Sequence, residues 1–287
     1  MEINMFTNKN VIITGGSSGI GEGLAKRLFK QGANIALVAR DAKKLTRVKD
    51  EMLAAGGAGK VKTAAQPNVA AFSCDVTDYQ ATIETMKRLA DEFGTPDFLF
   101  NFAGILNSNY FENLPVEDFR AQMETNFFGT LHFIKAALPY MKGRKGARII
   151  NMSSVSGIMG VFGYSSYCAS KFAVVGLSDS LRLELKPQGI EMHLILPPEI
   201  DTPMVDGIRE TRPLENVKYT HSAGVLSVDE AIDDILSGMS RGSYAIIPGK
   251  KAEMIVAANR FLPGASRFFA DKIIKSCYKG PGGKGQV

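Results

Sequence analysis

The chain has 287 residues, 45% of them hydrophobic and 22% charged, enough to bury one large core, so one domain with a tail is expected. Its three cysteines, Cys74, Cys168 and Cys277, are too few and too scattered for a disulfide framework. No Cys/His spacing fits a metal, so no metal site is expected and a reduced, cytoplasmic setting fits best. No segment reads as a signal peptide or as a membrane-spanning run of roughly 18 apolar residues, and the net charge of +5 is lodged in the tail, where 250–287 holds eight basic and two acidic residues.

Short β-branched runs alternate with longer helical patterns. The expected strands are Val11–Thr14, Ile35–Ala39, Ala71–Ser73, Phe98–Asn101, Arg148–Met152, Met192–Leu196 and Tyr244–Ile247. After the first, Leu24, Leu28 and Phe29 recur at the helical period. The pattern predicts an α/β fold: a Rossmann-like doubly wound, mostly parallel seven-stranded sheet flanked by helices, with a basic amphipathic C-terminal extension. The expected divisions are a dinucleotide-binding catalytic domain over 1–249, an amphipathic helical extension over 250–278 and a disordered tail over 279–287. Gly56–Ala70 reads as a surface loop and Pro203–Leu226 as an irregular stretch that covers a ligand crevice, ended by a Ser227/Glu230 capping box and a helix over Val228–Met239.

Directly after the first strand comes Thr14-Gly15-Gly16-Ser17-Ser18-Gly19-Ile20-Gly21. Glycines let the backbone approach a pyrophosphate, whose charge meets free N–H groups and the positive end of the helix dipole. Gly15, Ser17, Ser18, Gly19, Ile20 and Gly21 are therefore candidate phosphate contacts, although a glycine-rich turn that binds nothing is the alternative. The second strand ends in Arg40, where a carboxylate would take the ribose 2′-hydroxyl of NAD; an arginine pairs instead with a 2′-phosphate, which favours NADP(H) over a merely solvated side chain. Asp75 and Val76 after the third strand, and Asn101, Ala103 and Gly104 after the fourth, stand where the crevice of an open parallel sheet forms. Taken singly, Asp75 also reads as a helix cap and Asn101 as a backbone brace.

Downstream of the fifth strand lie Ser153-Ser154-Val155-Ser156-Gly157 and Tyr167-Cys168-Ala169-Ser170-Lys171. Tyr167 and Lys171, four apart, share one helical face. A phenol ordinarily titrates near ~10 and needs a neighbouring cation to exchange its proton at neutral pH; Lys171 supplies one. Ser154 and Tyr167 can bracket a carbonyl oxygen while hydride reaches the carbon.

With these motifs the chain resembles the short-chain dehydrogenase/reductase family from about Asn8 to Gly249: TGGSSGIG at Thr14–Gly21, Asp75–Val76, NFAG at Asn101–Gly104, Asn126, Ser154 and YCASK at Tyr167–Lys171. The resemblance implies that Tyr167 is the general acid in reduction or base in oxidation, that Ser154 positions the carbonyl, that Lys171 also binds the nicotinamide ribose and that Asn126 holds a proton-relay water. It also implies a homodimer or homotetramer. Two departures stand out: Phe102 replaces an asparagine, and Pro197-Pro198 replaces the common Pro-Gly. The run LPPEIDTP at Leu196–Pro203, followed by RPLE at Arg212–Glu215, is similar to the 3-ketosphinganine reductase branch, which implies reduction of a long-chain lipid ketone and places Pro197, Ile200 and Thr202 among the cofactor contacts.

Lys250–Leu262 and Ala265–Tyr278 carry apolar residues among cations, as helices in a membrane interface do and as helices packed on protein also do. Both readings stand on the sequence, so peripheral membrane contact is one expectation. Three rival functions stand beside the sphingoid one: a reductase of a fatty-acyl, steroid or xenobiotic ketone, a non-catalytic nucleotide-binding regulator, and nucleic-acid binding through the basic tail. The tail has no nucleic-acid motif, and no nucleic-acid partner is expected.

Overall fold

The chain opens into β1 (Asn10–Thr14), α1 (Gly19–Lys30), β2 (Asn34–Ala39), α2 (Ala42–Ala54), β3 (Val69–Ser73) and α3 (Tyr79–Phe93). The computed structural model describes residues 5–56 and 68–278. Four of the five residues of β1 are buried, as a strand covered on both faces requires. On α1 the buried face is Leu24, Ala25, Leu28 and Phe29, the helical stripe read from the sequence. Asp41 caps α2 by accepting from the backbone N–H groups of Lys43 and Lys44 at 3.0 Å each, and Asp78 caps α3 by accepting from that of Ala81 at 3.0 Å.

Then follow β4 (Phe98–Asn101), α4 (Val116–Gln122), a π-helical turn over Met123–Phe128, α5 (Gly129–Met141), β5 (Ala147–Met152), α6 (Ser165–Leu185) and β6 (Ile190–Ile195). The remainder is β7 (Glu199–Ile200), α7 (Pro203–Asp206), α8 (Leu214–His221), β8 (Val225–Leu226), α9 (Val228–Ser240), β9 (Ala245–Ile246), α10 (Lys250–Phe261) and α11 (Pro263–Ser276). The seven-stranded sheet has the order β3-β2-β1-β4-β5-β6-β9. β1 pairs in parallel with β2 (Ile12 opposite Ala36) and with β4 (Ile12 opposite Leu99). Strand order therefore reverses between β1 and β4, the switch point at which open α/β sheets form a ligand crevice.

The chain's contacts divide it into two compact units. The first comprises Met1–Ile105, Glu124–Met152 and Gly176–Leu194; the second comprises Leu106–Met123, Ser153–Val175 and Ile195–Val287. The first holds β1 to β5, α1, α2, α3 and α5, and nearly all of β6. Within the second, α8 packs against α11 and α10 against α11.

One sequence expectation is corrected here. The stretch Pro203–Leu226 is not irregular: it holds α7, α8 and β8, and β8 pairs in parallel with β7 (Glu199 opposite Val225). Pro213 is the N-cap of α8, where a missing N–H costs nothing, and four- and eight-residue helices are too short to show a period. β3 likewise begins at Val69, inside the expected Gly56–Ala70 loop, and 57–67 lie outside the described residues, as does the expected disordered tail at 279–287. The Ser227/Glu230 capping box forms reciprocally as read.

Candidate active site

In the first unit the glycines act through space rather than through flexibility alone. Gly15 has φ +71°, and a Cβ there would sit 2.7 Å from the carbonyl carbon and oxygen of Phe102. A Cβ on Gly21 would run into the Gly15 carbonyl oxygen. The loop is thus pressed backbone to backbone against the end of β4 and against its own helix. Thr14 locks the same corner: its Oγ1 accepts from the N–H groups of Phe102 (3.0 Å) and Ala103 (3.1 Å). The sequence alone assigns Thr14 no role, because only the pairing of β1 with β4 brings those amides to it. At the start of α1, Ser18 is extended and makes no side-chain cap. The loop therefore offers an anion a helix N-terminus that its own cap residue does not occupy.

Around this loop Ser17, Gly19 and Ile20 are half-buried and Ser18 is exposed. Arg40 is exposed at the end of β2, its carbonyl pinned by the Ser73 hydroxyl at 3.0 Å. Asp75 accepts from the backbone and hydroxyl of Thr77 (3.0 and 2.9 Å), whereas Asp78 is the residue that caps α3. Val76 is buried, Ala103 and Gly104 are half-buried, and Phe102 meets Phe100 edge to face at 5.4 Å. Asn101 donates from Nδ2 to Asn151 Oδ1 (2.9 Å), and Asn151 donates in turn to the Ser178 hydroxyl (2.9 Å). The other Asn101 amide atom, Oδ1, is buried without a partner among the described residues. Asn126 sits in the π-helical turn and clasps Ile105, accepting from its N–H (2.8 Å) and donating to its carbonyl (3.0 Å).

The second unit brings Ser154, Tyr167, Lys171 and Pro197 together. Ser154 is extended, its Oγ accepts from the Ser156 N–H (3.1 Å) and donates to the Pro197 carbonyl (3.2 Å), and it hydrogen-bonds the Tyr167 hydroxyl. The Ser153 hydroxyl donates to the Lys171 carbonyl at 2.9 Å. Gly157 makes this approach possible, since a Cβ there would come within 2.8 Å of that carbonyl oxygen and onto Ser153 Oγ. Its role was hidden in the sequence because the contact spans two distant segments.

Lys171 is 3% exposed, and its Nζ stands 5.5 Å from the centroid of the half-buried Tyr167 ring. Burial lowers the Lys171 ammonium to about 8. Burial raises the Tyr167 phenol well above its ordinary value, with Tyr164 and Cys168 adding to the rise and the Ser154 hydrogen bond opposing it. The tyrosine is therefore held in its protonated, donor form beside a lysine tuned toward neutrality. A buried group of Val161, Tyr164, Cys168 and Ile208 packs here with Leu106, Tyr167 and Tyr219, so the phenol borders an apolar wall.

Further along the second unit, Ile200 is buried and Thr202 donates from its hydroxyl to the Ile200 carbonyl at 3.2 Å. Glu199, within the LPPEIDTP run, and Arg212, within the RPLE run, form a buried two-pronged ion pair with Nη1 to Oε1 at 3.0 Å. Burial works against the Glu199 carboxylate, but hydrogen bonds from Arg212 and Thr220 hold it below the usual range. Asn216 bridges onward to the Phe162 carbonyl at 2.6 Å. Beside them the buried Glu215 accepts from Tyr110 at 3.2 Å and also hydrogen-bonds Tyr278, mooring the end of α11 to α8.

Among the described residues no group of His, Cys, Asp and Glu is placed to hold a metal. No described helix is long and apolar enough to cross a membrane.

The sequence pattern of the short chain dehydrogenase family matches residues 9–213. The chain is 34% identical over 249 residues to the 3-dehydrosphinganine reductase of Danio rerio, covering 86% of this chain and 73% of that one. It is 34% identical over 247 residues to the 3-ketodihydrosphingosine reductase of Bos taurus, with the same coverage. A short chain dehydrogenase from Burkholderia cenocepacia J2315, solved in complex with NADP, superposes with a TM-score of 0.74 at 25% identity, covering 92% of this chain and 98% of that one. The family pattern spans the glycine loop and the Ser154, Tyr167 and Lys171 set, and the chain belongs to the short chain dehydrogenase family.

Proposed function

We propose that this protein reduces 3-ketosphinganine to sphinganine with NADPH. The observation that carries the reading is the 34% identity, over 86% of the chain, to proteins named as reductases of that ketone, in a chain whose Ser154, Tyr167 and Lys171 stand together. Gly15, Ser17, Ser18, Gly19, Ile20 and Gly21 would hold the pyrophosphate at the uncapped start of α1. Arg40 would pair with the 2′-phosphate, and Asp75, Val76, Asn101, Ala103, Gly104, Pro197, Ile200 and Thr202 would complete the cofactor contacts. The fit is supported by the Gly15 and Gly21 cradle, which any side chain would fill. When bound, NADPH supplies hydride.

The chain's own groups then handle the oxygen. The Ser154 hydroxyl turns from Pro197 to the ketone and fixes it. Tyr167, kept protonated by its surroundings, donates its proton to the oxygen as negative charge develops there. Lys171 would stabilise the tyrosinate left behind and bind the nicotinamide ribose, and Asn126 would hold the water through which the proton is replaced. The apolar wall of Leu106, Val161, Tyr164, Ile208 and Tyr219 suits a long alkyl chain next to the reacting carbon. The enzyme works in the cytoplasm as a homo-oligomer.

The test is loss of NADPH absorbance on adding 3-ketosphinganine in detergent, beside a short β-keto ester and a steroid ketone. Selective turnover of the sphingoid ketone, abolished in Tyr167→Phe with NADPH binding intact, is expected. If that ketone is inert while another reacts, the substrate assignment falls; if Tyr167→Phe is fully active, the catalytic assignment falls.

A further inference from the structure

A ring of four charges closes beside the glycine loop. Glu22 follows Gly21 directly and stands in the first turn of α1. Its carboxylate is gripped twice. Arg47 on α2 reaches it with both guanidinium prongs, Nη1 to Oε1 at 3.1 Å and Nη2 to Oε2 at 2.7 Å, and Lys26, one turn along α1, reaches Oε1 at 2.6 Å. Glu51, one turn along α2 from Arg47, accepts from Arg47 at 2.9 Å and from Lys26 at 2.6 Å, so two cations and two anions close on one another. Arg47 makes one contact more, from Nη2 to the Ser17 carbonyl at 3.4 Å. Of the pair, the Glu22 side chain is only 16% exposed, against 46% for Arg47. Burial works against the Glu22 carboxylate, but hydrogen bonds from Arg47 and Lys26 hold it below its ordinary value, so it is fully charged at neutral pH.

An isolated surface ion pair contributes little, but a forked arginine in a closed network orders the segments it joins. At the loop the network acts in two ways. Electrostatically, a carboxylate in the first turn of a helix competes for the positive end of the dipole at which a bound pyrophosphate would sit. Left unpaired, Glu22 would repel that phosphate; Arg47 and Lys26 cancel its charge. Geometrically, the Ser17–Ser18 peptide is trans, so a Ser17 carbonyl turned toward Arg47 points the Ser18 N–H away from α2. We propose that Arg47 is a positioning residue of the nucleotide site: it neutralises Glu22 and holds the Ser17 carbonyl, so that the loop is shaped to receive NADPH and NADH alike. Arg40 would read the 2′-phosphate that distinguishes the two dinucleotides, whereas Arg47 serves the pyrophosphate that they share. This role rests on the nucleotide reading given above and not on which ketone is reduced.

The experiment is fluorescence titration of the full chain with NADPH and with NADH at low salt, without a ketone. Arg47→Gln is expected to weaken both nucleotides about tenfold and to leave the ratio of their affinities as in wild type. Glu22→Gln separates charge from scaffolding, because it breaks the same ion pair yet removes the repelling group. It is expected to bind both nucleotides at least as tightly as wild type, and Glu22→Gln/Arg47→Gln is expected to recover most of what Arg47→Gln loses. Circular dichroism and thermal unfolding show which variants are folded at the titration temperature. Should Arg47→Gln not fold, Arg47→Lys, which keeps the charge and gives up the fork, is expected to show a smaller loss shared by both nucleotides. Weakening of NADPH alone would make Arg47 a reader of the 2′-phosphate. Equal weakening by Glu22→Gln would reduce the ring to a brace between α1 and α2, and unchanged affinity in the Arg47 variant would dismiss it. Each of these outcomes overturns the proposal while leaving the nucleotide reading in place; wild-type protein that binds neither nucleotide overturns both.

Discussion

Lys171 Nζ lies 5.5 Å from the centre of the Tyr167 ring, with both residues on one face of α6. The pair is matched in an opposed sense: burial lowers the ammonium to about 8 and raises the phenol. Below about pH 8 the lysine carries the charge that stabilises a tyrosinate. Turnover in the direction of reduction is therefore expected to hold up to that pH and to fall above it, as read from kcat across a pH series.

The same shift has a cost in stability. Because folding lowers the pKa of Lys171 from 10.5 to about 8, the unfolded chain binds more protons between those values, and the lysine's contribution becomes more favourable as pH rises through the window. Relative to Lys171→Met, wild-type protein is expected to gain unfolding free energy from pH 8 to pH 10, with about 3 kcal/mol as the upper bound. Urea unfolding of both proteins at the two pH values measures it, and a constant difference would show that burial does not tax this lysine.

Arg40 ends β2 exposed, with its backbone held by Ser73. Arg40→Asp removes the group matched to a 2′-phosphate and installs one that repels it, while a carboxylate suits a ribose hydroxyl. The ratio of kcat/KM for NADPH to that for NADH should fall by about a hundredfold, which is about 2.7 kcal/mol of discrimination. An unchanged ratio would assign the phosphate to another residue.

At Gly15 the positive φ and the approach to Phe102 act together. Gly15→Ala is expected to cost about 1–3 kcal/mol of stability through strain and to weaken NADPH binding more than tenfold, seen by fluorescence titration. Normal nucleotide affinity would mean that the loop moves without loss and that its tight packing is incidental.

Removing one side of the Glu199–Arg212 pair leaves a buried unpaired charge. Glu199→Leu should lower stability by about 3–5 kcal/mol, and adding Arg212→Leu should return much of it. The wild-type pair also predicts acid sensitivity. A carboxylate held below its ordinary value of 4.5 contributes fully above that value, and the contribution drains away as pH falls through the folded value. Equal stability of the single and double variants would contradict an energetic coupling between the two.

Much of this was legible because it is local. A strand such as Val11–Thr14 announces itself by four consecutive apolar or β-branched residues, and Tyr167 and Lys171 by their helical spacing. The parts that were not legible depend on chain segments that meet only after folding. Thr14 reads as one more loop residue until β4 delivers the amides of Phe102 and Ala103 to it. Gly157 reads as a turn glycine until α6 closes on it. Glu199 and Arg212 stand 13 residues apart at either end of a stretch without a period, and nothing in that spacing says that a short parallel ladder folds the stretch back. Local patterns specify elements; the register between elements decides which polar groups become partners.

Asn101 shows what such partnership does to chemistry. Its amide cannot turn over freely, because Nδ2 is engaged by Asn151, which is itself engaged by Ser178. The orientation of that side chain is thereby polarised: the buried end left over is an oxygen, an acceptor without a donor. Any molecule that reaches it must bring an N–H, an O–H or a water, and one offering only oxygens gains nothing there. A three-residue chain of hydrogen bonds running from α6 through β5 to β4 thus decides which end of the Asn101 amide is left over, and that choice is set by residues far apart in the sequence.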